Sequence, residues 1–286
     1  MNISRLFDQF ENTKVLVLGD VMIDAYFYGS VSRISPEAPV PIVNLTKKEQ
    51  RLGGAANVAL NLKSLGAVPI ICSIKGNDAD GQRLKELCRE NGLVIEGLIN
   101  DYKRETTVKT RIIGNSHQLL RIDEEDTADI DESVEDLVYE AVNSFIDQVD
   151  VLIFQDYNKG LLTAELIQRV IALCTSKKVP MVVDPKFNNF YEYKGVTLFK
   201  PNKKEIQQAE NITDKLNLRD IKVLASTVRQ KLNANKIMTT LSEDGVIIIN
   251  ETETIHLPAH ARKILDVSGA GDSVLSVAAL CVAAGI

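Results

Sequence analysis

Histidine and cysteine are scarce in this chain: His117, His256 and His260 are the only histidines, and Cys72, Cys88, Cys174 and Cys281 the only cysteines. The cysteines lie far apart in apolar or helical contexts with no C-x-x-C pair, so they read as reduced core thiols and not as a disulfide framework or redox motif. His256 and His260 have metal-motif spacing, but Pro258 between them forbids a regular helix, which argues against a zinc pair. No nucleophile elbow accompanies any histidine, so a Ser-His-Asp reading has no support. An excess of positive charge is also missing: 33 Lys and Arg stand against 39 Asp and Glu, a net charge of −6. A general nucleic-acid surface, which needs a basic stripe, is therefore not expected. The first ten residues carry no basic region followed by an apolar core, so nothing directs export and the chain reads as cytoplasmic. The longest apolar run, 274–286, is thirteen residues, against roughly 20 for a membrane span. It reads as a buried helix.

What is present is an ordinary globular composition, 45% hydrophobic and 25% charged over 286 residues, enough for one large α/β unit with an insertion or for two domains. Short β-branched runs at 15–18, 68–74, 151–154, 181–183, 197–199 and 237–240 alternate with amphipathic stretches at 55–65, 81–91, 133–146, 164–176 and 221–232. Continuous apolar strands separated by crossover helices predict a doubly wound, mostly parallel sheet covered on both faces. Two segments break the rhythm, 40–45 and the pair 107–113 with 118–122, joined by Gly114-Asn115-Ser116. They read as antiparallel strands of a small second sheet, a lid drawn from about 25–51 and 104–123, placed to cover a ligand at the strand ends. The alternation at 246–249 and 254–257 predicts a further hairpin at the edge of the main sheet.

Three clusters carry possible chemistry. Asp266-Val267-Ser268-Gly269-Ala270-Gly271-Asp272-Ser273 opens the last apolar helix. Its glycines admit a ligand close to the backbone, and free N–H groups at a helix start attract an anion. A helix N-terminus favours an ionised carboxylate, so Asp272 is expected to be a weak, permanently charged base able to take a hydroxyl proton during phosphoryl transfer; a plain capped helix satisfies the same pattern. Arg51-Leu52-Gly53-Gly54-Ala55-Ala56-Asn57 opens an earlier helix, where small residues either admit a polar ligand to Asn57 or serve tight helix-to-sheet packing. Ahead of it, Gly19-Asp20-Val21-Met22-Ile23-Asp24 is read as the end of the first strand, with acidic residues where polyols are commonly held; no G-x-G-x-x-G follows that strand. Pro201-Asn202-Lys203-Lys204-Glu205 puts an amide and a carboxylate on one face of a helix start, suited to hydrated Mg²⁺ or equally to a capping box. Lys103, Arg104, Lys109, Arg111 and Arg121 gather around the lid hairpin as a solvated face or as a phosphate site, with Lys109 and Arg111 on one side by alternation.

Gly53-Gly54-Ala55-Ala56-Asn57 and Gly269-Ala270-Gly271-Asp272, with Asn202 and Glu205 between them, resemble the two signatures of the ribokinase-like (PfkB) carbohydrate kinases. Within that family, the residues from Ser32 to Pro41, the segment Asp156-Tyr157-Asn158-Lys159-Gly160 and Asp184-Pro185-Lys186 are similar to bacterial D-glycero-D-manno-heptose-7-phosphate kinases of ADP-heptose synthesis. The resemblance runs from about Val15 to the last residue. It implies an ATP-dependent kinase acting on the anomeric hydroxyl of a heptose 7-phosphate. Asp272 would be the base, with the amides of Gly269, Ala270 and Gly271 as anion hole. Asn202 and Glu205 would position Mg²⁺ and ATP, and Ser242 and Gly245 would lie near the nucleotide. Asp24, Gly53, Gly54 and Asn57 would hold sugar hydroxyls, and Arg33, Lys109, Arg111 and Lys186 are the candidates for the sugar phosphate. Asp266 and the Ser268 backbone match where many relatives bind a monovalent cation, commonly K⁺.

Two residues depart mildly from the family pattern, Asn158 for a small residue and Ser273 for a helix-opening Thr. Relatives continue past the catalytic helix with further helices, so the sequence reads as one kinase domain, 1–286, without that C-terminal cover. Small molecules are the expected partners, with no nucleic acid and no membrane, and the lid strands are expected to pair two subunits into a homodimer. The alternatives are a kinase of the same family for another sugar or sugar phosphate, and a non-catalytic sugar- or nucleotide-binding relative.

Overall fold

The apolar runs become strands because each can bury both faces between helices. A computed structural model describes residues 3–259 and 269–286, with side chains from residue 6 onward. The first part of the chain forms α1 (Ile3–Phe10), β1 (Lys14–Gly19), β2 (Val21–Ile34), β3 (Pro41–Gly54), α2 (Ala55–Ser64), β4 (Val68–Gly76), α3 (Ala79–Glu90), β5 (Val94–Asp101), β6 (Val108–Gly114) and β7 (His117–Glu124). There follow α4 (Glu132–Phe145), β8 (Val151–Gln155), α5 (Ala164–Lys177), β9 (Met181–Asp184), β10 (Leu198–Phe199), α6 (Lys203–Ala209), α7 (Leu218–Leu232), β11 (Lys236–Thr240), β12 (Val246–Ile249), β13 (Thr254–Leu257) and α8 (Ala270–Ala283).

The main sheet has nine strands in the order β13-β12-β11-β10-β9-β8-β1-β4-β5. The seven from β11 to β5 are parallel, and β12 and β13 close one edge as the expected antiparallel hairpin. Side chains alternate across β1. Leu16 and Leu18 join a core with Val142, Leu166 and Val228 from α4, α5 and α7, while Val15 and Val17 join another with Ala56, Leu84 and Leu275 from α2, α3 and α8. Each such fully buried aliphatic side chain contributes roughly 2 kcal/mol. The final apolar run is helical but not wholly inside: Leu275, Ala279 and Leu280 are buried, whereas Val274 and Val277 are exposed. Cys72, Cys88 and Cys174 are buried free thiols and Cys281 is half-buried.

A second sheet has the order β3-β2-β6-β7. It corrects two expectations. The first strand ends at Gly19, not Asp24: the chain turns at Asp20 and leaves the main sheet as β2, and Gly19 packs so closely on β8 that a side chain there would stand 2.1 Å from the Gln155 carbonyl. Asp24 therefore belongs to the lid. Nor is the lid purely antiparallel: β2 pairs antiparallel with β3 but parallel with β6. The β6–β7 hairpin turns through Asn115 and Ser116, both at positive φ (51° and 67°), as tight primed turns require. Asp266, Ser268 and His260, named as site or spacing residues above, lie outside the described residues.

Candidate active site

Four neighbouring parallel strands, β1, β8, β9 and β10, end in a charged residue on the same rim. Asp20 follows β1, Asp156 follows β8, Asp184 closes β9 and Lys200 follows β10, and all four are buried. This is the crevice at the carboxyl ends of the strands where open α/β sheets bind ligands. Lys200 Nζ pairs with Asp184 Oδ2 at 3.0 Å and lies 4.0 Å from where a side chain on Gly271 would begin.

Asp272 stands over this rim in the first turn of α8, 8% exposed. Gly269 opens the helix in the left-handed region (φ 76°), and it supplies no side-chain cap to the first N–H groups, which are donors available to a ligand. Asn57 Nδ2 donates to Asp272 Oδ2 at 2.6 Å and the Tyr157 hydroxyl to Oδ1 at 3.1 Å. Burial raises the Asp272 pKa, and the Asn57 and Tyr157 hydrogen bonds only partly oppose it. The helix start favours the ionised carboxylate, and the burial makes Asp272 a stronger proton acceptor than an exposed aspartate.

Asn57 reaches Asp272 because Gly53 and Gly54 let the end of β3 press on the start of β2. A side chain at Gly54, whose φ is 58°, would stand 2.3 Å from the Asp20 carbonyl, and that carbonyl accepts the Ala55 amide at 2.9 Å. A side chain at Gly53 would meet Asp24 Oδ2 at 2.5 Å. Close packing, the alternative reading of this pair, is thus part of how the site is built. Asp24 accepts from Arg111 Nη1 at 2.6 Å across neighbouring lid strands, and the Arg111 guanidinium lies 5.2 Å from the Tyr26 ring centroid. Lys109 is paired with Asp123 and Glu125 at 3.0 and 2.8 Å. Arg33 is exposed near the end of β2, away from this cluster in the strand register.

Asn202 and Glu205 form a capping box on α6: Asn202 Oδ1 accepts the Glu205 amide at 2.9 Å, and Glu205 Oε2 accepts the Asn202 amide at 2.8 Å. The other Glu205 oxygen accepts from Lys186 Nζ, which also lies 5.7 Å from the Tyr157 ring centroid. Burial works against the Lys186 charge, but Glu205, Asp184 and Asp156 outweigh it and raise its pKa. Lys186 therefore stands at the Glu205 corner and not with the lid cations Lys109 and Arg111. Ser242 and Gly245 are near that corner, because Asn202 bridges to Thr240 at the end of β11 and Leu241 donates back to the Gly245 carbonyl at 2.8 Å.

The pfkB family carbohydrate kinase pattern matches residues 12–285. The chain belongs to that family. Membership sets the class of chemistry, phosphoryl transfer from ATP to a sugar. The chain is 40% identical over 286 residues to the bifunctional protein HldE of Syntrophotalea carbinolica, covering all of this chain and 58% of that protein. It is also 40% identical over 277 residues to that of Helicobacter hepaticus, covering 96% of this chain and 57% of that one. The chain thus spans less than two thirds of these relatives. The tetrameric inhibited form of phosphofructokinase-2 from Escherichia coli superposes with a TM-score of 0.79 at 17% identity, covering 96% of this chain and 88% of that one. A putative ribokinase from Agrobacterium tumefaciens gives 0.75 at 16% identity, covering 96% and 86%; these two likenesses establish the ribokinase-like α/β fold. Escherichia coli phosphofructokinase-2 has also been crystallised with potassium.

In this carbohydrate-kinase domain one polar residue of the rim, Lys200, lies in none of the sequence motifs, and Asp20, Asp156 and Tyr157 lie within quoted motifs without a catalytic role assigned to them. Their signal is positional, since each lies within two residues of the end of an apolar parallel strand. Asn158, the departure from a small residue, adopts φ 53°, a left-handed conformation that Asn tolerates better than other side-chain-bearing residues.

Proposed function

We propose that this chain transfers the γ-phosphoryl group of ATP to the anomeric hydroxyl of D-glycero-β-D-manno-heptose 7-phosphate, giving the 1,7-bisphosphate and ADP. The choice of sugar rests on the likeness of the residues from Ser32 to Pro41, the Asp156 to Gly160 segment and Asp184-Pro185-Lys186 to heptose-7-phosphate kinases, and is supported by the 40% identity to bifunctional HldE proteins. The observation that carries the mechanism is Asp272: a buried carboxylate whose pKa is raised, in the first turn of a helix whose N-cap, Gly269, brings no side chain to its N–H groups. In this reading Asp272 takes the proton of the sugar hydroxyl as its oxygen attacks the γ-phosphorus and the bond to the ADP oxygen breaks. The amides of Gly269, Ala270 and Gly271, with Lys200 behind them, receive the charge that develops on the phosphoryl oxygens. Asp24, Asn57 and the backbone around Gly53 and Gly54 hold the sugar hydroxyls. Arg111 is the lid cation nearest that pocket for the 7-phosphate, with Lys109 and Arg33 as further candidates.

Asn202, Glu205 and Lys186 face the nucleotide phosphates, and Ser242 and Gly245 the nucleoside. Among the described residues no three His, Cys, Asp or Glu side chains converge as metal ligands. The oxygen donors of Asn202 and Glu205 instead suit Mg²⁺ held mainly by water and phosphate. Such an ion would offset phosphate charge and align the transferring group. Asp266 and Ser268 are the proposed holders of a monovalent cation, by family pattern. Exposed Ile34 and Leu45 on β2 and β3, and Leu120 and Ile122 on β7, support a homodimer through the lid sheet, whose outer strands offer unpaired edges.

A coupled ADP-release assay across heptose 7-phosphate, fructose phosphates and ribose tests the substrate, which is rejected if heptose 7-phosphate shows no preference. Asp272→Asn should lower turnover by the 10²–10⁴ typical of a lost general base, with sugar-phosphate affinity nearly unchanged. Wild-type turnover in that variant would refute the role of Asp272.

A further inference from the structure

Tyr157 is the only side chain besides Asn57 that hydrogen-bonds the Asp272 carboxylate among the described residues, and the fold invests heavily in holding it there. Two buried carboxylates grip its loop from below. Asp20 Oδ2 accepts the Tyr157 amide at 2.8 Å and the Lys159 amide at 3.3 Å. Asp156 Oδ1 accepts the Asn158 amide at 2.8 Å, and its Oδ2 accepts the Tyr193 hydroxyl at 2.8 Å. Asp20 and Asp156 are 3% and 2% exposed, so these bonds form where water does not compete. The loop has little freedom left: Asn158 is fixed at φ 53° and Gly160 at φ 80°, and a side chain at Gly160 would strike the Ala128 carbonyl at 1.8 Å. The ring then spans the rim, with Lys186 Nζ 5.7 Å from its centroid and its hydroxyl on Asp272.

We propose that Tyr157 is a positioning residue for the Asp272 base: its hydroxyl fixes the plane of the carboxylate through Oδ1, so that Oδ2 and its neighbour Asn57 face the incoming sugar hydroxyl. This inference rests on Asp272 being the base. The division of labour follows from the two donors. Asn57 opens a helix beside the glycine pair of the sugar pocket, so its amide can turn to a sugar oxygen when substrate arrives. Tyr157 is clamped through its own backbone and keeps its bond throughout. Its hydroxyl remains protonated in that role, because burial and the charge of Asp272 push its pKa far above the ordinary tyrosine value; it donates a hydrogen bond and transfers no proton. A donor to the ionised form of an acid favours that form, so Tyr157 also holds the Asp272 pKa below what burial alone would set.

The test is Tyr157→Phe, which keeps the ring, the loop hydrogen bonds and the Lys186 contact and removes only the hydroxyl. The Asp272 carboxyl carbon is followed by NMR in ligand-free protein labelled at aspartate, with Asp272→Asn supplying the assignment, and melting temperature confirms folding. The Asp272 titration should move to higher pH in Tyr157→Phe. Single-turnover phosphoryl transfer with heptose 7-phosphate and Mg·ATP should slow about 10- to 100-fold, the range of one hydrogen bond to a charged group, while KM changes less than about twofold. The acidic limb of the rate profile should move to higher pH with the titration. An Asp272 titration that is the same in both proteins overturns the proposal. Turnover by Asp272→Asn equal to wild type overturns the reading of the base instead, and the NMR result distinguishes the two failures.

Discussion

At the scale of single residues, burial decides more than local charge. Asp20 is held at a pKa of about 7, chiefly by desolvation and then by the charge of Asp156, against the amides that hydrogen-bond it. Its Oδ1 is buried with no hydrogen-bond partner among the described residues, which is where a proton would be retained. Between about pH 4 and 7 the unfolded chain has lost this proton and the folded chain keeps it. The native state then binds more protons, and the contribution of Asp20 to stability falls as pH rises through that window. Asp156 and Asp272 are shifted in the same direction by burial. Asp20→Asn retains one oxygen for the Tyr157 amide and removes the titration. Chemical denaturation at pH 5 and pH 8 should show a smaller loss of stability with rising pH in Asp20→Asn than in the wild type, and equal losses would contradict the assignment.

At the scale of elements, the site depends on where strands stop. β1 stops at Gly19 and β3 runs on to Gly54, and only glycine lets these backbones meet Gln155 and Asp20. The strand positions were legible in the apolar runs, and the edge hairpin at 246–249 and 254–257 in its alternation. The course of β2 was not, because a run continuing from 15 to 24 gives no local sign that the pairing partner changes from β8 to β3. β5 also escaped notice, its pattern in VIEGLIND being mixed where it lies at a sheet edge. Gly54→Ala would place a side chain at φ 58° and 2.3 Å from a carbonyl oxygen. It should cost about 2 kcal/mol or more, read as a lower denaturation midpoint, and should weaken sugar binding by moving Asn57. A midpoint equal to wild type would show that the close approach is not required.

At the scale of the whole molecule, two sheets divide the work. The nine-stranded sheet gathers Asp20, Asp156, Asp184 and Lys200 on one rim, and the four-stranded sheet brings Asp24 and Arg111 to it. The outer face of β7 is exposed along its whole length, and with Leu120 and Ile122 on it an association through the lid is expected. Sedimentation of the chain should give a dimer that the double change Leu120→Lys and Ile122→Lys converts to monomer; a wild-type monomer at tens of micromolar would exclude the pairing. No helix among the described residues is long and apolar enough to cross a membrane.

The sequence by itself determined the α/β class, the alternation of strands and crossover helices, the glycine pairs and the identity of the acid at the last helix, because hydrophobic period and glycine placement are local properties that need no knowledge of the partner. The tertiary structure alone decided which polar groups meet. Asn57 and Asp272 are 215 positions apart, Tyr157 and Asp272 are 115, and Asp24 and Arg111 are 87. Those pairings follow from the order of strands in the two sheets. Assembly of the two sheets also buries Asp272, and that burial raises its proton affinity, which its place at a helix start in the sequence does not reveal.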